Sequence, residues 1–241
     1  MRRVIRPPLP KKTHEYLMRR QRLVTTSNAE SLWNSSRQTQ TIGKLLKLLQ
    51  GMMGARERCM YCVDSHGSDI DHFRPKARFH EYTFDWLNMI LCCTECGRLK
   101  GAAFPVEGSE VLLVDPTLEE PWDYIDFDPD TGNLTPRFSL TSGQYSRKGL
   151  ATVNLLRLDK REGMAEGLRR SYRRIVARVE QAIEDRHLDG EQLAEDLVQL
   201  DDHGLLGWCF ADIDLERRPF STLRVVSPSA WELCARAAQC G

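Results

Sequence analysis

The 241-residue chain has no stretch approaching the ~18 consecutive apolar residues that a membrane-spanning helix needs, which argues against an integral helical membrane protein. Its basic N-terminus has no apolar run of the kind a secretory leader carries, so the expected location is the cytosol. There is no internal repeat and no low-complexity tract, which sets aside solenoids and fibrous arrays. There is also no net charge: 34 Lys and Arg balance 34 Asp and Glu, and the total selects no anionic partner. What remains is the composition of a soluble globular protein, 41% apolar and 28% charged. The length allows one domain or two small ones around a sizeable core.

The charge is unevenly spread. Residues 1–22 carry eight Lys/Arg against one acid, residues 105–136 carry nine acids and no Lys/Arg, and residues 157–178 carry eight Lys/Arg against three acids. Such asymmetry suits a basic face for phosphates beside an acidic face for a protein partner. For 157–178 a merely solvated helix face is an equal reading.

Four segments are expected: 1–54 as a basic arm and helices, 55–104 as a compact central module, 105–145 as an acidic element with a β-hairpin, and 146–241 as a helical region. Pro7 and Pro8 make residues 1–12 extended. A strap over the protein's own surface is favoured over an arm along nucleic acid or a partner. A helix is expected over 13–23. Ser27 and Glu30 have capping-box spacing and open a second helix to about Met53. Strands are expected at 68–72, 84–92 and 111–114, with a helix over 93–103. Strands at 124–127 and 134–138 flank the Asp128–Asn133 turn. Leu168, Tyr172, Ile175, Val176, Val179 and Ile183 share one helix face, 193–200 is a shorter helix, and Ser227-Pro228 opens the last one.

The centre carries the chemistry. Cys59-x-x-Cys62 and Cys93-x-x-Cys96 share one spacing and can close on a single tetrahedral Zn²⁺. In a reducing cytosol such pairs are metal ligands before they are disulfides. Cys92 adjoins Cys93, but only Cys93 has the right spacing to Cys96. Cys92, Cys209, Cys234 and Cys240 are left as free thiols. Between the pairs stands Asp71-His72. An imidazole suits a general base that takes a proton from water, and Asp71 is a hard oxygen ligand for Mg²⁺ or Mn²⁺. Arg74, Lys76 and Lys100 are candidates for phosphate oxygens. A zinc ribbon without catalysis uses the same cysteines.

The run Cys-x-x-Cys, Asp71-His72-x-x-Pro75, Asn88, Cys-x-x-Cys-x-x-x-Lys100 resembles the HNH endonuclease family in its four-cysteine zinc form. That resemblance implies an α+β chain: a zinc-stapled ββα-metal core with a small β element, surrounded by helices and predominantly helical. It implies His72 as the activator of water, Asp71 as a ligand of the catalytic divalent ion, and Asn88 as the residue that orients the loop bearing His72. Members place Asn or His after the last cysteine as a second metal ligand. Here Gly97 stands there, with Glu95 or a water as the substitute.

A narrower resemblance rests on the Arg6-Pro7-Pro8 run, Asp71–Lys76, Trp86-x-Asn88, Asp115-Pro116 and Leu155–Arg161. These are similar to the HNH subunits of Septu antiphage systems, a subunit type that also accompanies some retrons. The implied partners are an ABC/SMC-like ATPase of the PtuA type and nucleic acid, with DNA favoured over RNA or tRNA. A retron reverse transcriptase with its ncRNA or msDNA is a further implied partner, and no membrane is. With no stacking platform evident, sequence-specific base reading is not expected. The alternatives are a weak or inactive zinc module that binds nucleic acid or bridges the ATPase, and a zinc-ribbon transcription accessory.

Overall fold

The computed structural model describes residues 1–185, 187–211 and 216–240, with the side chains of 239 and 240 outside the description; the thiol of Cys240 is therefore among the readings it does not address. The proline-rich start is a strap. Met1 and Val4 are buried. The Val4 amide donates to Pro116 O at 2.7 Å, and Arg6 Nη2 donates to Met89 O at 2.5 Å. Pro10 then hands over to α1 (Lys11–Gln21).

The single long helix expected from the Ser27–Glu30 capping box to about Met53 is two helices, α2 (Ala29–Arg37) and α3 (Gln40–Gly51). Thr39 makes the break. Its backbone is extended, its hydroxyl donates to Ser36 O at 2.7 Å, and it caps α3 by accepting from Ile42 N. A hydroxyl that competes for backbone groups favours a cap over a helix interior. Asn28, not Ser27, precedes α2. The break lets α2 turn Trp33 inward while α3 buries Ile42, Leu45 and Leu49.

The central module is a short antiparallel pair, β1 (Asp69–His72) and β2 (Met89–Cys92), followed by α4 (Thr94–Lys100). The register pairs Asp69 with Cys92, Ile70 with Leu91, Asp71 with Ile90 and His72 with Met89. Strand alternation puts Ile70 and His72 on the buried side and leaves Asp69 and Asp71 half-buried on the other. β2 starts five residues later than expected. Asp85 accepts from Leu87 N at 3.0 Å and winds Trp86–Asn88 into a 3₁₀ turn instead.

In the acidic segment, β3 (Val106–Glu107) pairs with β4 (Glu110–Val111). The strand expected over 111–114 stops there, because the Val114 amide bonds to Thr152 Oγ1 at 2.9 Å rather than to a neighbouring strand. β5 (Ile125–Phe127) and β6 (Leu134–Pro136) form the expected hairpin. β7 (Phe138–Ser139) and β8 (Gln144–Tyr145) form a second, exposed one. The helical region follows: α5 (Arg147–Leu156), α6 (Glu162–Glu184), α7 (Gly190–Leu200), α8 (Leu206–Cys209), α9 (Phe220–Val226) and α10 (Pro228–Cys240). Leu168, Ile175 and Val179 of α6 are buried on the expected face. α7 begins three residues early because Asp189 accepts from both Glu191 N and Gln192 N. Its first residue must be small: a Cβ on Gly190 would stand 2.9 Å from Ala230 Cα of α10. The fold is mixed, with helix predominating over four two-stranded sheets among the described residues. The buried apolar side chains of all four segments belong to one cluster. Among the described residues, no helix is long and apolar enough to cross a membrane.

Candidate metal centre and adjoining site

Two backbone turns build the thiol cluster. In the first, Val63 N closes on Cys59 O at 2.9 Å, and Met60 N ties the knuckle to Leu91 O of β2 at 2.9 Å. In the second, Cys93 is the N-cap of α4, and its sulfur accepts from Cys96 N at 3.4 Å. The sulfurs of Cys59, Cys62, Cys93 and Cys96 all lie within 4.8 Å of one another, and all four residues are buried. A tetrahedral ion with Zn–S of about 2.3 Å needs S···S edges near ~3.8 Å; Cys62 and Cys93 stand at 3.9 Å. The residues present fit Zn²⁺. Mutual hydrogen bonding brings Cys62 down to about 6, led by the contact with Cys59, and holds Cys93 lower still, while burial pushes Cys59 up. Cys96 is pushed up as well, so two of the four thiols give up their protons readily and two hold them, and a divalent cation would have to displace the latter. Arg161 Nη2 donates to Cys96 Sγ at 3.3 Å, offsetting the negative charge that four thiolates keep after binding. Cys92 lies outside the cluster, as do the buried free thiols Cys209 and Cys234.

Beside this centre, Asp71 and His72 do not share an open surface. The His72 ring is 3% exposed and meets Trp33 of α2 edge-on, with centroids 4.4 Å apart. A general base has to meet water, and here α2, folded back at Thr39, lies across the ring. His72 Nε2 stands 2.8 Å from Thr83 O, a carbonyl that can only accept, so Nε2 carries the proton and Nδ1 the lone pair. Burial, with help from Lys76, lowers the imidazole to about 3, so the ring is neutral.

Asn88 is the clamp of this region. Its Oδ1 accepts from Arg74 N at 2.7 Å, and its Nδ2 donates to Arg74 O at 3.1 Å and Tyr82 O at 3.0 Å. One side chain thereby closes the loop that follows His72. Arg74 stacks over the Tyr82 ring at 4.6 Å, and Lys76 reaches Glu30 of α2 at 3.4 Å.

Lys100 departs most from the sequence reading. It is not a surface phosphate contact: its ammonium is fully buried, 2.9 Å from Asp71 Oδ2 and 2.7 Å from His72 O. Tyr61, which lies between the knuckle cysteines and has no signal in the spacing, donates to the same Asp71 oxygen at 2.8 Å. Burial pushes the Asp71 carboxyl up, and Lys100 and Tyr61 pull it back. Gly97 offers no ligand, and a Cβ there would stand 3.3 Å from Cys92 Sγ. Glu95 faces Arg161 at 3.7 Å. Among the described residues, only the four cysteines group closely enough to hold a metal. The Mg²⁺ or Mn²⁺ implied by the resemblance would fall to Asp71, whose Oδ2 is here engaged by Lys100 and Tyr61.

The pair makes a stability prediction. Lys100→Met is expected to cost about 3–5 kcal/mol, because it strands a carboxylate in the interior. The melting temperature should fall by roughly 6–20 °C, and adding Asp71→Asn should recover much of the loss. An unchanged melt for the single variant would refute the pairing.

The site thus defines a class: a protein with a buried four-cysteine cluster that could hold a metal, set in a strand–strand–helix unit bearing a buried Asp-His pair. No family model matches the chain. It is similar to the Septu protein PtuB of Bacillus mycoides (strain KBAB4), 27% identical over 137 residues that cover 44% of this chain and 44% of that protein. The match thus spans less than half of that relative's length.

Proposed function

We infer that the chain is the nuclease subunit of an antiphage defence complex, a phosphodiesterase of HNH type that is closed in the isolated protein. The observation that carries this is His72 at the end of β1, with its tautomer fixed by Thr83 O, followed by a loop clamped by Asn88, in the module that holds the four cysteines. The similarity to a Septu protein supports the defence role, and the resemblance supplies an ABC/SMC-like ATPase as partner and DNA, or RNA, as substrate. Hydrolysis forms a bond from water oxygen to phosphorus and breaks the phosphorus–oxygen ester bond; the attacking water's proton passes to His72 Nδ1, and the leaving oxygen takes a proton from solvent. Arg74 and Lys76 flank the loop as candidates for the phosphate charge. Cys59, Cys62, Cys93 and Cys96 would hold Zn²⁺, and with four thiolate ligands its contribution would be structural.

Three contacts hold α2 over the ring: Trp33 on His72, Arg37 on both oxygens of Asp69 at 2.8 Å, and Glu30 on Lys76. Exposed ion pairs are worth about 0.2–1 kcal/mol each. Glu30→Ala with Arg37→Ala should therefore keep the fold and raise cleavage by the isolated chain severalfold, by up to roughly 30-fold if each pair contributes ~1 kcal/mol. An unchanged rate would show that α2 is not the cover that matters.

The second reading, a zinc module that bridges the ATPase without cutting, is favoured by the Lys100–Asp71 pair and by Gly97. Purification with the ATPase, followed by assays on plasmid, single-stranded DNA and tRNA with Mg²⁺ or Mn²⁺, separates the two. Cleavage supports the first. Its absence on every substrate supports the second.

A further inference from the structure

A cleft of about 580 Å³ lies away from the His72 loop, between the chain entering the first knuckle and one face of α6. Arg56 and Arg58 form one wall, and Arg170, Arg173 and Arg174 form the other. Positions 170, 173 and 174 are neighbours on a helix surface, so the second wall is a continuous ridge. Two aspartates also line the cleft, and both are engaged in its walls. Asp202 bridges Arg56 at 2.6 Å and Arg174 at 2.5 Å. Asp64 faces His203 at 3.8 Å, and the other ring nitrogen of His203 contacts Ser171 Oγ at 2.8 Å.

Three guanidinium groups remain for a ligand. Arg173 is exposed and makes no ion pair among the described residues. Arg170 is exposed and stands 3.9 Å from Glu166. Arg58 spends one nitrogen on Asp64 O, while its Nε is buried without a partner. Two glycines of α6 complete the lining: Gly167 lets His203 pack close, since a Cβ there would stand 2.7 Å from His203 Nε2, and beside Gly163 the space is open.

The lining decides between ligands. It holds no apolar side chain and no Phe, Tyr or Trp. A protein partner is anchored by an apolar, aromatic-rich centre, which this cleft lacks. Base stacking needs an aromatic platform, which it also lacks. Facing rows of arginine suit the oxygens of a linear polyphosphate backbone. We propose that this cleft binds the phosphodiester backbone of a nucleic acid strand without reading its bases. The proposal rests on the nuclease reading for its purpose, but binding is measured apart from cleavage.

The test is fluorescence anisotropy of the full chain with labelled 30-mers of single-stranded DNA, duplex DNA and RNA, across a salt series without added Mg²⁺ or Mn²⁺. Arg170→Gln with Arg173→Gln should weaken binding to all three at least tenfold at low salt. The slope of log K against log salt should shrink by about 1.4–1.8, the share of two phosphate contacts. Lys11→Gln with Lys12→Gln, exposed on α1, should leave both quantities unchanged. Equal losses for the two double variants, no loss for the first, or no wild-type binding would each overturn the proposal. So would poly-glutamate binding as tightly as the nucleic acids, which would assign the cleft to an acidic protein. Normal binding by a chain that never cuts would leave the cleft standing and remove the nuclease reading instead.

Discussion

Cys93→Ser is expected to leave a chain that does not fold stably and holds far less zinc than one ion per molecule. Binding of a structural zinc contributes about 10–16 kcal/mol in small modules, and a whole domain is stable by only ~5–15 kcal/mol. Cys93 has two roles, as a member of the sulfur cluster and as the N-cap of α4, so its loss loosens metal and helix together. Its neighbour supplies the contrast. Cys92 is equally buried but lies outside the cluster, and Cys92→Ala should keep full zinc content and lose only ~1–2 kcal/mol of packing. Elemental analysis and a thermal melt on both variants decide the matter. Wild-type stability and metal content in Cys93→Ser would disprove a four-thiolate staple, and so would a wild-type protein purified free of zinc.

His72→Ala is expected to lower cleavage by roughly 10²–10⁴-fold, the usual contribution of a general base, in the complex with the ATPase. Zinc content should not change, since the ring is no ligand of the thiolate cluster. Some stability will be lost, because Thr83 O loses its donor and Trp33 its edge contact. His72→Asn should reproduce the catalytic loss with a milder melt defect, which separates chemistry from packing. Cleavage that persists in both variants would remove His72 from the reaction.

The sequence was most informative where spacing carries geometry. Two Cys-x-x-Cys pairs, one of them in contention with Cys92, marked out the four sulfurs that the structure brings together. Alternation placed β1, and Ser227-Pro228 placed the start of α10. It was least informative where one element crosses another. A lysine is by default an exposed charge, and nothing in the order of residues shows Lys100 turning inward to His72 O, 28 positions away. Nor does periodicity reveal that Trp33 covers His72. That depends on the break at Thr39, in a stretch where Ser35, Ser36, Thr41 and Gly43 are weak helix formers but no Pro marks the stop. The nucleic-acid contacts foreseen at Arg74, Lys76 and Lys100 are partly spent on Tyr82, Glu30 and Asp71.

The guanidinium of Arg161 reaches Cys96 from the loop between α5 and α6, and also holds Leu156 O at 2.7 Å. Residues far beyond the module therefore complete its electrostatics. A fragment cut off at residue 104 would keep every sulfur yet leave a dianionic centre with no counterion from that quarter. Dissecting the protein into pieces would thus report on a different metal affinity from that of the intact chain.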